Sequence, residues 1–228
     1  MRLTKQSISD QAAQMLRKQI MLHELKEGTH LKESELSGVL GVSRGPIREA
    51  IKKLEAEGFV ETRTNGRSIV QPFTEKEVQD LYDARILIET NALLNIRPEI
   101  VARYLPTLQL ALKEMEESRV IDDVMIDNSH IEADVHFHYT LVCMSENKTL
   151  MRMWQSLNET TQTLIEVTAR HTLTRKEKIQ NEHLAIVDAI IKYDVATAQK
   201  ALTAHLMGAS NYYSEAVFKI ESRGEYDE

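Results

Sequence analysis

The chain has 228 residues, of which 42% are apolar and 28% charged, values that are ordinary for a soluble globular protein of one or two domains. No apolar stretch approaches the ~18 residues of a membrane span, the N-terminus lacks the apolar core of a secretion signal, and Cys143 is the single cysteine. The sequence therefore argues against a membrane protein and an intrachain disulfide, and we expect a cytoplasmic protein.

The net charge of −7 is unevenly distributed along the chain. Residues 1–72 carry 12 Lys and Arg against 9 Asp and Glu, whereas residues 73–228 carry 16 against 26. A slightly basic first part and an acidic second part indicate two parts with different partners. Only 4 prolines and 8 glycines stand among many Leu, Ile, Glu and Lys residues, which favours a mostly helical protein.

The first part reads as three helices followed by a β-hairpin. Helices are predicted over 7–24 and 33–40, with Gly41 just past the end of the second, whose apolar residues Leu36, Val39 and Leu40 are expected to point inward. A third helix begins after Ser43, a favourable N-cap, and stops at Gly58.

The hairpin is predicted around Asn65-Gly66, the pair favoured by a type I′ turn. Two short β-prone runs flank this pair, and Arg63 and Arg67 lie beside it. Three helices and a basic hairpin within residues 1–72 predict a winged helix-turn-helix domain.

The third helix opens with an unusual sequence, because Arg44 and Gly45 occupy the positive end of a helix, where acidic residues are preferred. Arg44 and Arg48 are four residues apart and share one face, away from the apolar stripe of Ile47 and Leu54. This start makes sense if its partner is an external anion, such as DNA that a glycine allows to approach closely. The alternative is a solvated helix with two ordinary surface arginines.

The second part, residues 73–228, reads as helix after helix and predicts an antiparallel helical bundle. Leu, Ile, Val and Met recur there at intervals of three and four residues. The predicted helices cover 75–96, 98–118, 128–146, 148–170, 175–193 and 195–222.

Four polar residues of the bundle are expected to face inward. Asp134 and His138 stack on one helix face, and His183 and His205 follow the apolar stripes of two later helices. One aspartate and three histidines form a suitable ligand set for a divalent metal, with zinc favoured over manganese or nickel. The alternative is that each histidine is a core residue with an ordinary hydrogen-bond partner.

The first part resembles the DNA-binding domain of the GntR family of bacterial transcriptional regulators. The resemblance covers residues 7–72, and its most recognisable stretch is "VSRGPIREAIKKLEAEG". It implies that Ser43, Arg44 and Arg48 contact operator DNA and that Gly66 lies at the wing tip in the minor groove. Ser34 departs from the pattern, because some members carry a DNA-contacting arginine there.

Residues 75–222 resemble the FCD ligand-binding domain found in one GntR subgroup. The family pattern has an aspartate, a histidine four residues later, and two histidines about 22 apart, which Asp134, His138, His183 and His205 match. The resemblance implies a metal with open positions for a small carboxylate effector. Arg85 matches a recurrent arginine that is either a clamp for the carboxylate or an ion-pair partner of Glu89 in the same helix.

These observations predict a DNA-binding regulator, acting as a repressor and a homodimer, whose operator binding a small carboxylate controls. The segments "LYDARILIET" and "GEYDE" also resemble gluconate-operon repressors, which favours a sugar-acid effector. Two alternatives stay open: a regulator whose bundle only dimerises and holds no metal, and a metal-dependent hydrolase. The hydrolase lacks a general base, because Glu132 should face away from Asp134.

Overall fold

The computed structural model of the protein describes residues 7–117, 120–121, 125–126, 128–168 and 176–224. These residues form two compact units, of which one holds residues 7–74 and 217–224 and the other holds residues 75–216. The sequence places its boundary between residues 72 and 73, two residues before this division. The predicted fold class, a winged helix-turn-helix followed by a helical bundle, is confirmed by the order of the elements.

The first unit contains three helices and a two-stranded antiparallel sheet, in the order predicted for a winged helix-turn-helix. Its elements are α1 (Ile8–Met21), α2 (Glu33–Leu40), α3 (Arg44–Ala56), β1 (Val60–Thr62) and β2 (Ser68–Val70). A capping box of Ser7 and Asp10 starts α1, and Gly41 ends α2 in a left-handed conformation with a φ of 65°.

The core of this unit lies between α1 and α3, whose apolar stripes include the fully buried Leu16, Ile20, Ile47 and Leu54. By contrast, α2 has no buried residue, and the prediction that Val39 points inward is wrong, since 81% of that residue is exposed. The other two apolar residues predicted to point inward, Leu36 and Leu40, are half-buried.

The hairpin turn differs from the predicted type I′ turn. That turn needs a positive φ at both Asn65 and Gly66, but only Gly66 has one, at 76°. The amide of Gly66 donates to the carbonyl of Arg63 (2.8 Å), and the amide of Arg63 donates to the carbonyl of Arg67 (2.9 Å). This is the pattern of a three-residue loop whose last residue is left-handed, a position that glycine adopts without strain.

The segment between α1 and α2 pairs with the free edge of β2. His30 forms an antiparallel bridge with Ile69, the amide of Leu31 donates to Ser68 (2.9 Å), and the amide of Val70 donates to Thr29 (2.9 Å). The wing is therefore joined to the segment that leads into α2, a pairing that the sequence analysis did not predict.

The second unit is built from the predicted helices, whose ends differ from the predicted bounds by a few residues. They are α4 (Glu75–Ala92, continued by a 3₁₀ turn over Leu93–Asn95), α5 (Pro98–Glu117), α6 (Asn128–Cys143), α7 (Lys148–Thr168), α8 (Lys176–Ile191) and α9 (Val195–Gly224, whose last turns belong to the first unit). A short antiparallel hairpin of β3 (Val120–Ile121) and β4 (Met125–Ile126) was not predicted. Within the described residues, no helix combines the length and the apolar character that a membrane span requires.

Apolar periodicity explains why polar residues reach the interior of this unit. Phe137 and Leu141 on α6, Ile186 and Val187 on α8, and Leu206 on α9 are buried. His138, His183 and His205 lie within four residues of these side chains on the same helices, so packing the apolar stripes also turns the imidazoles inward.

Candidate functional sites

The start of α3 presents its polar groups to solvent. Ser43 occupies the N-cap position, yet within the described chain its hydroxyl makes no capping hydrogen bond. Ser43, Arg44, Gly45 and Arg48 are exposed, whereas the stripe headed by Ile47 is buried. As the sequence predicts, the two arginines project outward while the apolar side of the helix packs into the core.

Arg48 is held by a glutamate of α2 that the sequence analysis missed. Its Nε donates to Oε1 of Glu33 (2.7 Å), and its second guanidinium nitrogen donates to Oε2 (2.8 Å). This hydrogen bonding lowers the pKa of Glu33 from its ordinary value. The two residues are 15 positions apart, so helical spacing carries no signal for the pair, which requires the packing of α2 on α3.

Gly45 is not required by the chain's own structure. A Cβ built at this position would meet no other atom of the described chain within 4 Å, and its φ is not positive. The open space at the beginning of α3 is therefore available to an external partner.

The predicted wing residues Arg63, Gly66 and Arg67 are all exposed. Arg63 lies 3.2 Å from Glu61 in an ion pair that water screens. The wing tip thus presents two cations around a glycine with a positive φ.

In the second unit, the structure brings the four predicted metal ligands together. Asp134 and His138 come from α6, His183 from α8 and His205 from α9, and one ligand atom from each lies within 4.8 Å of the others. The Nε2 atom of His138 is 3.3 Å from the Nε2 atoms of both His183 and His205. Asp134 Oδ1 is 3.5 Å from His183 Nε2.

Two carboxylates fix the tautomers of two of these histidines. The Nδ1–H of His138 donates to Glu89 Oε2 (2.6 Å), and the Nδ1–H of His205 donates to Glu182 Oε2 (2.9 Å). With the proton on Nδ1, both Nε2 atoms present lone pairs, which face each other at 3.3 Å. Such an arrangement is unfavourable by itself and suits a cation bound between the rings.

The electrostatics of the histidines agree with metal binding. Burial, followed by repulsion from His205 and His138, lowers the pKa of His183 well below its ordinary value. Burial also lowers the pKa of His205, although the hydrogen bond with Glu182 opposes this. Three imidazoles whose Nε2 atoms converge, together with the carboxylate of Asp134, form a donor set that zinc prefers.

Glu89 is the main residue of this site that the sequence analysis did not assign. It is fully buried, and its Oε1 accepts hydrogen bonds from Arg85 Nε (2.9 Å) and Trp154 Nε1 (2.9 Å). Burial would raise its pKa, but the positive charge of Arg85 and the hydrogen bonds that His138 and Trp154 donate hold the pKa of Glu89 below its ordinary value. The ion pair that the sequence offered for Arg85 is therefore present.

Arg85 also faces a cavity beside the histidines. This space of about 380 Å³, counted out to its open mouth, is lined by Asp134, His138 and His205 and by Arg85, Tyr82 and Tyr213. The guanidinium of Arg85 lies 5.1 Å from the ring centre of Tyr82, and the rings of Tyr82 and Tyr213 stack. A cationic group and two tyrosines that line the same cavity as a metal-type donor set can recognise a small anion.

Both parts of the sequence match known protein families. Residues 8–70 match the family described as "Bacterial regulatory proteins, gntR family", and residues 80–208 match the "FCD domain". The first range contains the exposed arginines of α3 and the wing, and the second contains the four clustered ligands, Arg85 and Glu89.

Individual proteins agree with these matches. The gluconate operon transcriptional repressor of Bacillus licheniformis is 29% identical over 204 residues, which cover 88% of this chain and 82% of that protein. A GntR transcriptional regulator from Rhodococcus sp. RHA1 has the same fold, with a TM-score of 0.63 and 21% identity over 91% of this chain and 98% of the other. A metal-free FCD domain covers 65% of this chain, with 99% of its own length, 17% identity and a TM-score of 0.53.

The FCD match alone spans more than half of the chain. Members of this family are regulators that bind DNA, so the alternative of a metal-dependent hydrolase is not supported. The chain therefore belongs to the GntR family, in the group that carries an FCD domain, and is a DNA-binding transcriptional regulator.

Proposed function

We propose that the chain is a repressor that binds operator DNA as a homodimer and responds to a small carboxylate bound at a metal site. The observation that carries this proposal is the convergence of the Nε2 atoms of His138 and His205, which lie 3.3 Å apart beside a cavity lined by Arg85. A regulator with a purely structural bundle has no need for this arrangement.

In the proposed DNA complex, the start of α3 enters the major groove. Arg44 and Arg48 reach base edges or phosphates with their planar guanidinium groups, Ser43 donates from the N-cap, and Gly45 admits the DNA backbone. At the wing, Gly66 lies in the minor groove between Arg63 and Arg67. The exposure of all these residues supports the assignment.

The metal ligands in the proposal are Asp134, His138, His183 and His205. Zinc is the first choice, and manganese and nickel accept a similar donor set. A bound ion would supply the positive charge that attracts a carboxylate. Arg85, on the wall of the same cavity, pairs with a second part of the effector.

A sugar acid is the proposed effector class, because the relatives named for gluconate operons cover most of this chain. Two copies of the winged domain read two half-sites, and effector binding shifts the population between arrangements that fit the operator and arrangements that do not.

Elemental analysis and thermal shift test the metal and the effector together. We expect about one divalent ion per chain and a lower melting temperature when a chelator removes it. Adding a sugar acid such as gluconate to zinc-loaded protein should raise the melting temperature. The control is His138→Ala, which should lose both responses. Wild-type protein that takes up no metal and shows no chelator effect would favour the regulator with a structural bundle instead.

A further inference from the structure

Glu89 connects the metal site to the cavity through both of its oxygens. Oε2 accepts the Nδ1–H of His138, and Oε1 accepts from Arg85 and Trp154. These residues lie on α4, α6 and α7, so one buried carboxylate joins a proposed metal ligand to a proposed effector contact.

The contact with His138 controls what this histidine offers an ion. A carboxylate that accepts from Nδ1–H keeps the proton away from Nε2, fixes the ring orientation and makes Nε2 a stronger electron donor. The hydrogen bond between His138 and Glu89 is short, at 2.6 Å. Water does not compete with it, because only 1% of the His138 side chain and none of the Glu89 side chain is exposed. The corresponding carboxylate of His205, Glu182, is 22% exposed, and water screens its effect.

Arg85 acts on the same carboxylate in the opposite sense. Its Nε lies 2.9 Å from Glu89 Oε1, and the positive guanidinium draws negative charge away from the oxygen that faces His138. Arg85 also lines the cavity, so an anion bound there would compete with Glu89 for the positive charge of the guanidinium.

We propose that Glu89 is a positioning residue that sets the metal affinity of His138, and that Arg85 weakens its effect until an anion in the cavity occupies the guanidinium. The inference rests on the proposed metal site. It predicts that the two sites cooperate: an anion bound at Arg85 raises the affinity for the metal ion. By thermodynamic reciprocity, the bound ion raises the affinity for the anion.

Zinc affinities, measured by competition with a chelating dye, test the two opposite effects. Glu89→Gln keeps the shape but removes the charge, and we expect zinc binding to weaken roughly 10- to 100-fold, the range found for such outer carboxylates. Arg85→Gln keeps a donor to Glu89 but removes the positive charge, and we expect zinc to bind more tightly. Trp154→Phe is the matched control, because it removes a hydrogen bond to Glu89 without touching His138, and its effect should be much smaller than that of Glu89→Gln.

A spectroscopic measurement separates this role from a merely structural one. In zinc-loaded protein labelled with ¹⁵N-histidine, His138 should be the Nδ1–H tautomer with a strongly downfield proton. Arg85→Gln should move that proton further downfield, and Glu89→Gln should move it upfield. The Arg85 variant and the wild type provide this test even if Glu89→Gln does not fold.

The inference is overturned if Glu89→Gln binds zinc as tightly as the wild type while His138→Ala loses binding, a result that leaves the proposed metal site intact. Weaker zinc binding by Arg85→Gln removes the counteracting role of Arg85. If the wild type and His138→Ala bind zinc equally weakly, the proposed metal site itself fails, and the role of Glu89 fails with it.

Discussion

The pair of Arg48 and Glu33 in the first unit and the pair of Arg85 and Glu89 in the second lie in opposite environments. Arg48 and Glu33 are 60% and 32% exposed, whereas Arg85 and Glu89 are 4% and 0% exposed. Water screens the first pair, so a phosphate or a base can replace Glu33 at little cost. Separating the second pair would leave a buried charge without a partner. Arg48 can therefore exchange Glu33 for a group of the DNA, whereas Arg85 and Glu89 stay paired and connect the cavity to the metal site.

The largest expected effect comes from breaking the buried pair. Glu89→Ala leaves Arg85 buried without its carboxylate and removes the acceptor of Trp154 Nε1, so we expect the free energy of unfolding to fall by about 3–5 kcal/mol. Denaturant unfolding followed by circular dichroism measures the change.

A matched control lies on the same helix. Lys76 and Asp80 have the same four-residue spacing as Arg85 and Glu89, but both are exposed. Asp80→Ala should therefore change the unfolding midpoint little. Equal losses for Asp80→Ala and Glu89→Ala would mean that burial does not distinguish the pairs.

The next effect concerns DNA binding at the exposed end of α3. Arg44→Ala or Arg48→Ala should weaken operator binding roughly ten- to hundredfold, and the melting temperature should not change because both side chains are exposed. Fluorescence anisotropy at several salt concentrations measures the affinity and separates base contacts from phosphate contacts. The control is Lys113→Ala, which removes an exposed positive charge of α5, and this variant should bind DNA as the wild type does.

Gly45→Ala should affect the complex without harming the free protein. The added methyl group meets open space in the chain, so the melting temperature should stay the same or rise slightly. If DNA backbone occupies that space, operator affinity should fall by about tenfold. Unchanged affinity would show that the duplex does not approach Gly45.

The smallest effect is expected for Glu33→Gln, which releases Arg48 from its carboxylate. Folding stability should hardly change, because the pair is exposed. Binding to a random duplex should become a few times tighter, since a negative charge is removed beside Arg44 and Arg48. Tighter binding to the operator alone would contradict this account and would indicate that Glu33 opposes a specific base contact.

Local patterns in the sequence predicted most of the helices and one half of the metal cluster. Apolar periodicity gives the inward faces, and the spacing of Asp134 and His138 makes them neighbours on one helix. Apolar stripes also place His183 and His205 inward on their own helices, but periodicity cannot show that they meet His138, because this meeting depends on how separate helices pack.

The residues that sequence reasoning missed pair across the fold. Glu89 meets His138 over 49 positions and Trp154 over 65, and Glu33 meets Arg48 over 15. No periodicity connects such positions. Even a local prediction, the turn type at Asn65-Gly66, was wrong because the pair is compatible with more than one loop and hydrogen bonds with the flanking residues select between them.

The pairing of residues 28–31 with β2 has a mechanical consequence for the wing. The hydrogen bonds between Leu31 and Ser68 and between Val70 and Thr29 connect the hairpin to the segment that leads into α2. We therefore expect the wing to move together with the segment that leads into α2. In hydrogen exchange, the amides of Leu31 and Val70 should open as a single cooperative unit.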